Sequence, residues 1–221
     1  TISGGSIKYV EKLEQRMKSQ NVEIRLGCKV NKISRNFDKV SIKTQFGLEE
    51  EFDEVVLATH ADDTLSLLAD PTEHEKTSLG AIHYQENDAV LHADQSLMPV
   101  TKRVWSSWVY SESKNKNSKR IDLTYWMNSL QSIPKEDPIF VTLNSSRNIK
   151  QELIYDSVTY RHPVYDLKTL SSQQKIKEIN GQNRTWFAGA WMQNGFHEDG
   201  YSSAINVATK LMNQSRAELI F

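Results

Sequence analysis

The residues best placed to do chemistry lie in one late stretch, Arg184–Leu211, with the sequence RTWFAGAWMQNGFHEDGYSSAINVATKL. It holds Gly189, Gly195 and Gly200 and the run His197-Glu198-Asp199. A histidine beside two carboxylates has the composition of a metal or acid–base cluster. Adjacent residues point apart, however, and no second histidine stands at helical ligand spacing, so no metal is expected here. Glu198 and Asp199 suit a helix N-terminus better, where carboxylates meet free N–H groups and match the dipole.

The elements that must position these residues are legible from pattern. Thr185–Ala188 is short, aromatic and β-prone, and reads as a buried strand. Gly189 through Gly200 reads as a turn-rich loop whose glycines let backbone approach a ligand closely. From about Asp199 the spacing turns helical, with Ala204, Ile205, Val207, Ala208, Leu211 and Met212 forming the expected buried stripe. Strand, glycine loop and helix start together present N–H groups and a positive dipole end to an anion or an electron-rich ring. The same geometry also occurs in units that bind nothing, so the pattern alone leaves both readings open.

The run WFAGAW…GFHEDG…S…A resembles the C-terminal FAD-binding segment of the flavin amine oxidase superfamily, which includes protoporphyrinogen oxidases and phytoene-desaturase-like enzymes. The resemblance implies that Gly189 and Ala190 reach the ribityl–diphosphate region of the cofactor. It also implies that Phe196, His197 and Gly200 lie beside the flavin. A second resemblance covers GGSIKYVEKL…VEIRLGCKVNKI…FDEVVLAT, which is similar to the GG…L…L, V.l…V..I and D.VVLA segments of the same oxidases. It implies a backbone contact from Val30 to the adenine. The segments LGAIHYQ, LTYWMN, HPV and GFHEDG are similar to a subgroup of NAD/FAD-binding, amine oxidase-like proteins.

Earlier in the chain, Ser6 is positioned to cap a helix with Val10, Leu13 and Met17 on its apolar face. Val22, Ile24, Leu26, Cys28 and Val30 alternate with polar residues, which predicts a half-buried strand. Val40, Ile42, Thr44 and Phe46 alternate again, and Val55–Thr59 reads as a strand buried on both faces. A helix follows at Asp62–Ala69. Asp70-Pro71-Thr72-Glu73 then predicts an N-cap acid, proline at the first helical position and a closing glutamate. Strand candidates at 81–84, 89–92, 104–110, 121–127, 139–143 and 153–160 argue for an antiparallel sheet. Ser111–Arg120 reads as a hairpin tip, Arg161-His162-Pro163 as a strand break, and Leu167–Glu178 as a helix.

Other conspicuous residues divide between pocket and packing roles. Trp126, His162 and Pro163 are candidates for a substrate pocket. Trp126 could equally pack under a helix, and His162-Pro163 resembles a segment that approaches the active site in desaturase-like enzymes. His60 reads as a hinge residue more readily than as a cofactor neighbour. No G-x-S-x-G elbow is present and Cys28 lies in the expected strand, so no nucleophile stands out and the catalytic residues are left unassigned.

Composition excludes several classes. The 221 residues carry a net charge of −1, which gives no field for nucleic acid or an anionic membrane. No apolar run is long enough to span a bilayer. One cysteine fits a reducing, cytoplasmic setting. The chain contains no G-x-G-x-x-G, the turn with which FAD binding begins in the resembled family. It also opens at Thr1 without an initiator methionine. The expectation is therefore a fragment whose N-terminal dinucleotide-binding segment is missing and which alone binds FAD weakly or not at all.

The fold class expected is α+β, with an antiparallel-sheet substrate domain at 61–180. It is interleaved with the C-terminal part of a Rossmann-like FAD-binding domain at 1–60 and 181–221. The function implied is an FAD-dependent oxidoreductase acting on a small-molecule amine, polyene or acyl lipid. The competing reading is a non-catalytic scaffold that has kept the fold.

Overall fold

The computed structural model describes residues 2–112 and 121–218. Helix α1 (Ser6–Ser19) comes first, followed by β1 (Val30–Arg35), β2 (Val40–Thr44), β3 (Glu49–Phe52) and β4 (Val55–Leu57). Next are α2 (Ala61–Leu67), α3 (Glu73–Gly80), β5 (His83–His92), β6 (Trp108–Ser111), β7 (Asp122–Trp126) and the short α4 (Met127–Leu130). The chain closes with β8 (Phe140–Leu143), β9 (Ile154–Val164), α5 (Leu167–Ile179), β10 (Thr185–Phe187) and α6 (His197–Glu218). The fold is α+β with antiparallel sheets, as the sequence pattern predicts. It divides into two compact units, one made of residues up to Ile24 with Glu86–His162, the other of Arg25–Gln85 with Pro163 onward.

The unit built from Arg25–Gln85 and Pro163 onward carries the glycine loop. Its antiparallel sheet has the order β1-β2-β3, and β4 pairs in parallel with β10 through Val55↔Thr185, Val56↔Trp186 and Leu57↔Phe187. Ile33, Val40, Leu79, Ile176 and Phe187 form a core that Trp191 and Met192 complete. All five of the former are at most 1% exposed, and burying each such side chain is worth about 1.5–3 kcal/mol. Helix α3 is capped by Thr72, whose Oγ1 accepts from the Glu75 N–H while Glu75 Oε2 accepts from the Thr72 N–H. The capping box therefore starts two residues later than Asp70. Asp70 instead accepts from Arg35 Nε at 3.2 Å.

The other unit holds most of the five-stranded sheet, in the order β6-β7-β8-β5-β9. Phe140, Thr124, Thr142 and His92 are fully buried there. Strand β9 continues through His162-Pro163 to Val164, where the sequence predicts a break. It is the last strand of its sheet, and an edge strand tolerates a residue without an N–H. The segments 81–84 and 89–92 belong to one strand, β5. Residues 102–104 form a 3-10 turn before the short β6, so the strand expected at 104–110 is mostly absent. The expected hairpin tip lies largely outside the described residues.

Other expectations are corrected by exposure. Val22–Lys29 forms no strand, although its residues alternate. Leu26 is 87% exposed, and Gly27 turns the chain at φ 67°, with its carbonyl accepting from Gln45 Nε2. Val55 and Leu57 are buried but Val56 is 46% exposed, so β4 is covered on one face only. Ser6 caps nothing: Gly5 precedes α1 and makes no side-chain cap, and α1 buries none of its residues. In α6 the buried line is Ser203, Val207 and Leu211, whereas Ala204, Ile205, Ala208 and Met212 face outward. Ile205 and Met212 are 47% and 59% exposed.

Candidate functional site

The loop between β10 and α6 is built from the inside. Gly189 stands where β10 ends, and a Cβ there would sit 2.5 Å from the Trp191 indole nitrogen. Only glycine leaves room for that ring. The indole in turn donates to the Thr59 carbonyl at 3.0 Å, which ties the loop to the end of β4. Gly195 has φ 90°, and a Cβ there would meet the Tyr165 hydroxyl at 2.7 Å. Two of the three glycines are thus required by internal packing and backbone conformation.

Gly200 differs. It lies in the first turns of α6, and a Cβ there would meet the Ala190 nitrogen at 3.6 Å, an ordinary contact. Ser203 fixes this approach: its Oγ accepts from the Gly189 N–H at 2.9 Å and donates to the Gly200 carbonyl at 2.7 Å. The structure therefore brings Gly189, Ala190 and Gly200 together. Ser203 is the residue that sequence reasoning missed. Its position three residues after Gly200, on the buried line of α6, is the signal that could have found it.

Asp199 shapes the start of α6. Its Oδ2 accepts from the Asn194 and Phe196 N–H groups at 3.2 and 2.9 Å. The Asp199 and Gly200 N–H groups donate to the Phe196 carbonyl. Among the described residues, the N–H groups of Ala190, His197 and Glu198 have no acceptor. These donors stand at the turn beside Gly189 and at the positive end of a 22-residue helix. Chemically, such an end holds an anionic or electron-rich group. Phe196, His197 and Glu198 are exposed around it.

Val30 opens β1, half-buried, and packs against the core cluster that includes Trp191 and Met192. Its side chain is thus turned to the core, and its backbone enters the β1–β2 ladder opposite Thr44. The structure does not bring together Trp126, His162 and Pro163, because β8 and β5 lie between β7 and β9. Trp126 is half-buried and meets Trp105 edge-on at 5.3 Å. His162 is exposed, with Nδ1 3.0 Å from Asn87 Nδ2.

At the end of β4, His60 stacks on Tyr84 with centroids 4.4 Å apart. The Tyr84 hydroxyl accepts from the Ala61 N–H at 2.8 Å, and burial pushes its pKa up to about 12. His60, Asp62 and Asp63 have donor atoms within 4.8 Å of one another. Both aspartates sit in the first turn of α2, where the helix dipole accounts for them, so no metal is assigned.

Among the described residues, no helix is long and apolar enough to cross a membrane. Solved structures that share the fold include the following two. The CLA-producing fatty acid isomerase from P. acnes matches with TM-score 0.54 and 17% identity, over 80% of this chain and 46% of that one. A reduced UDP-galactopyranose mutase matches with TM-score 0.51 and 11% identity, over 79% of this chain and 43% of that one. The chain thus spans less than half the length of either. No curated protein matches it by sequence. Residues 1–93 match the family described as flavin containing amine oxidoreductase. Over that segment, less than half of its length, the chain is similar to the flavin containing amine oxidoreductases.

Proposed function

We propose that this chain is part of an FAD-dependent oxidoreductase, in which the β10–α6 loop forms one side of the flavin cradle. The observation that carries this reading is the set of N–H donors on Ala190, His197 and Glu198 at a turn where Gly200 abuts Ala190. Gly189 and Ala190 would face the ribityl–diphosphate portion. Phe196, His197 and Gly200 would line the ring, and the Val30 backbone would meet the adenine. When bound, FAD supplies the acceptor of a hydride equivalent.

The chain's own residues bind and orient. Ser203 and Asp199 hold the donors in place, and Trp191 fixes the loop against the end of β4. No side chain of this site is assigned as a base. The remaining diphosphate contacts are assigned to a dinucleotide-binding segment supplied from outside these 221 residues. The substrate is a small molecule, and the aromatic cluster of Trp105, Trp126 and Phe140 favours an apolar one. A reducing, cytoplasmic setting suits the single free thiol, Cys28.

The test is a fluorescence titration of FAD against the 221-residue chain and against the full reading frame of its gene. The reading expects weak or absent binding to the first and a stoichiometric flavin spectrum in the second. A full-length protein that binds no flavin overturns it.

A further inference from the structure

Strand β9 is the outermost strand of the five-stranded sheet, with β5 on its inner side and no described strand on its outer side. Six successive residues, Tyr155 through Tyr160, are exposed, and so is His162. Tyr155, Val158 and Tyr160 are 64%, 42% and 53% exposed, a large apolar surface for one strand. The backbone of such an edge offers N–H and C=O groups to another strand, and folded proteins blunt it with lysine, proline or a short length. Neither lysine nor proline stands between Ile154 and His162, and β9 is 11 residues long. The opposite edge, β6, has only 4 residues.

Side-chain contacts fix which residues share a face. Thr159 Oγ1 donates to Asp88 Oδ1 at 2.7 Å, and His162 Nδ1 accepts from Asn87 Nδ2 at 3.0 Å. Neighbouring residues of a strand point to opposite faces, so Asp156, Val158, Tyr160 and His162 lie on one face and Ser157 and Thr159 on the other. When two β9 strands pair antiparallel about a two-fold axis, each residue stands opposite one of the same face. An axis at Thr159 sets Val158 against the partner's Tyr160 and Asp156 against the partner's His162. Each pair occurs twice. The first is an aromatic–β-branched pair and the second joins an acceptor to a donor, both of which stabilise a sheet. The Asn87 amide is pinned by Asn144, which donates to its Oδ1, so His162 Nδ1 is an acceptor and Nε2 carries the proton that Asp156 takes. Moving the axis by one residue sets Asp156 against the partner's Tyr160 or the partner's Val164, and both matches are lost.

We propose that β9 is an interaction surface for a second copy of this chain, the two strands pairing antiparallel about Thr159 to make one continuous sheet. The surface lies within one unit and does not depend on the flavin reading. Main-chain hydrogen bonds supply the affinity, and the Val158–Tyr160 and Asp156–His162 pairs supply the register. A single strand pair is a small interface, so the dimer is a weak one.

The test is sedimentation equilibrium of the 221-residue chain between about 1 and 200 μM, a range that brackets a weak dimer. The proposal expects a reversible monomer–dimer equilibrium. Val158→Lys puts a charge on the edge and weakens dimerisation about tenfold or more, with circular dichroism unchanged. Tyr110→Lys, the control on the β6 edge, leaves it unchanged. Asp156→Lys and His162→Asp each weaken it about threefold or more, and the double variant, which restores an opposite-charge pair, regains most of that loss. A chain that stays monomeric overturns the proposal. So does a dimer that survives Val158→Lys, one that Tyr110→Lys disrupts instead, or a double variant no tighter than either single one. If Val158→Lys does not fold, the charge exchange decides. A full reading frame that is monomeric where the 221-residue chain dimerises gives this edge to a segment outside these residues, and overturns the assignment to a second copy.

Discussion

Arg35 and Glu75 meet as a buried ion pair joined by two parallel hydrogen bonds, Nη1 to Oε1 at 2.6 Å and Nη2 to Oε2 at 3.0 Å. Their side chains are 3% and 4% exposed. The same guanidinium also reaches Asp70 and Thr185 Oγ1, so one residue of β1 ties together α3 and β10. Burial pushes the Glu75 carboxyl up, but the hydrogen bonds from Arg35 and Thr72 outweigh it and hold its pKa below the usual value.

Breaking this pair is costly because it strands a buried guanidinium. Glu75→Ala also opens the capping box of α3. The expected loss is about 3–5 kcal/mol, read as a drop in the urea midpoint. Glu50→Ala, which removes the 33%-exposed partner of Arg25, changes stability by about 1 kcal/mol or less. Equal effects of the two substitutions contradict this account of the core.

His92 gives stability a pH dependence of known sign. Its Nδ1 accepts from the Asp94 N–H at 3.1 Å, so Nε2 carries the proton and donates to Thr142 Oγ1 at 2.8 Å. The ring is fully buried, and burial lowers its pKa. The unfolded chain, with a histidine pKa of about 6.5, therefore takes up this proton first. The contribution is fully present above about pH 6.5 and is lost as pH falls through the folded-state value. Urea titrations between pH 7 and 5 are expected to show this slope, and His92→Gln to flatten it. Glu75 adds a separate loss at lower pH, below about 4.3, because its folded pKa is depressed.

The same residues show what the sequence made legible. Local chemistry was readable: the aromatic strand before Gly189, the helix opening near Asp199, and α5 at Leu167–Ile179 all follow from spacing and cap residues. What required long-range pairing was not. Val22–Lys29 alternates as a strand does, but no partner strand lies against it. Pro163 breaks a central strand in principle and sits in an edge strand in fact. Helix α6 carries apolar residues on two faces, and only packing decides that Val207 turns inward while Ile205 does not. The site loop was found by its glycines. The role of Ser203, set by a bond across the loop, was invisible to periodicity.

Two glycines of the loop are required by the fold before any ligand is considered. Gly195→Ala forces a side chain into a positive-φ position 2.7 Å from the Tyr165 hydroxyl, and Gly189→Ala drives a methyl group into the Trp191 ring. Each is expected to destabilise the chain by about 1–3 kcal/mol, measurable by urea denaturation in the absence of any ligand. Tyr165→Phe removes the hydroxyl that Gly195→Ala would strike. It should return part of that loss in the double variant, since residues in contact are not additive.

Gly200 is the position where folding and cofactor binding separate. A methyl group there meets only Ala190 at 3.6 Å, and alanine favours a helix interior over glycine by about 1 kcal/mol. Gly200→Ala is therefore expected to leave the stability of this chain unchanged or slightly raised. The larger Gly200→Val adds bulk at the turn that bears the free N–H groups of Ala190 and His197. In the full reading frame it should lower FAD affinity about tenfold or more if the flavin ring lies against this helix start, with the unfolding midpoint of the 221-residue chain moving little. Both variants are measured by flavin fluorescence and by urea denaturation. Unchanged FAD affinity in Gly200→Val would remove this residue from the proposed cradle, while parallel losses of stability and affinity would mean that packing against Ala190 is its only role.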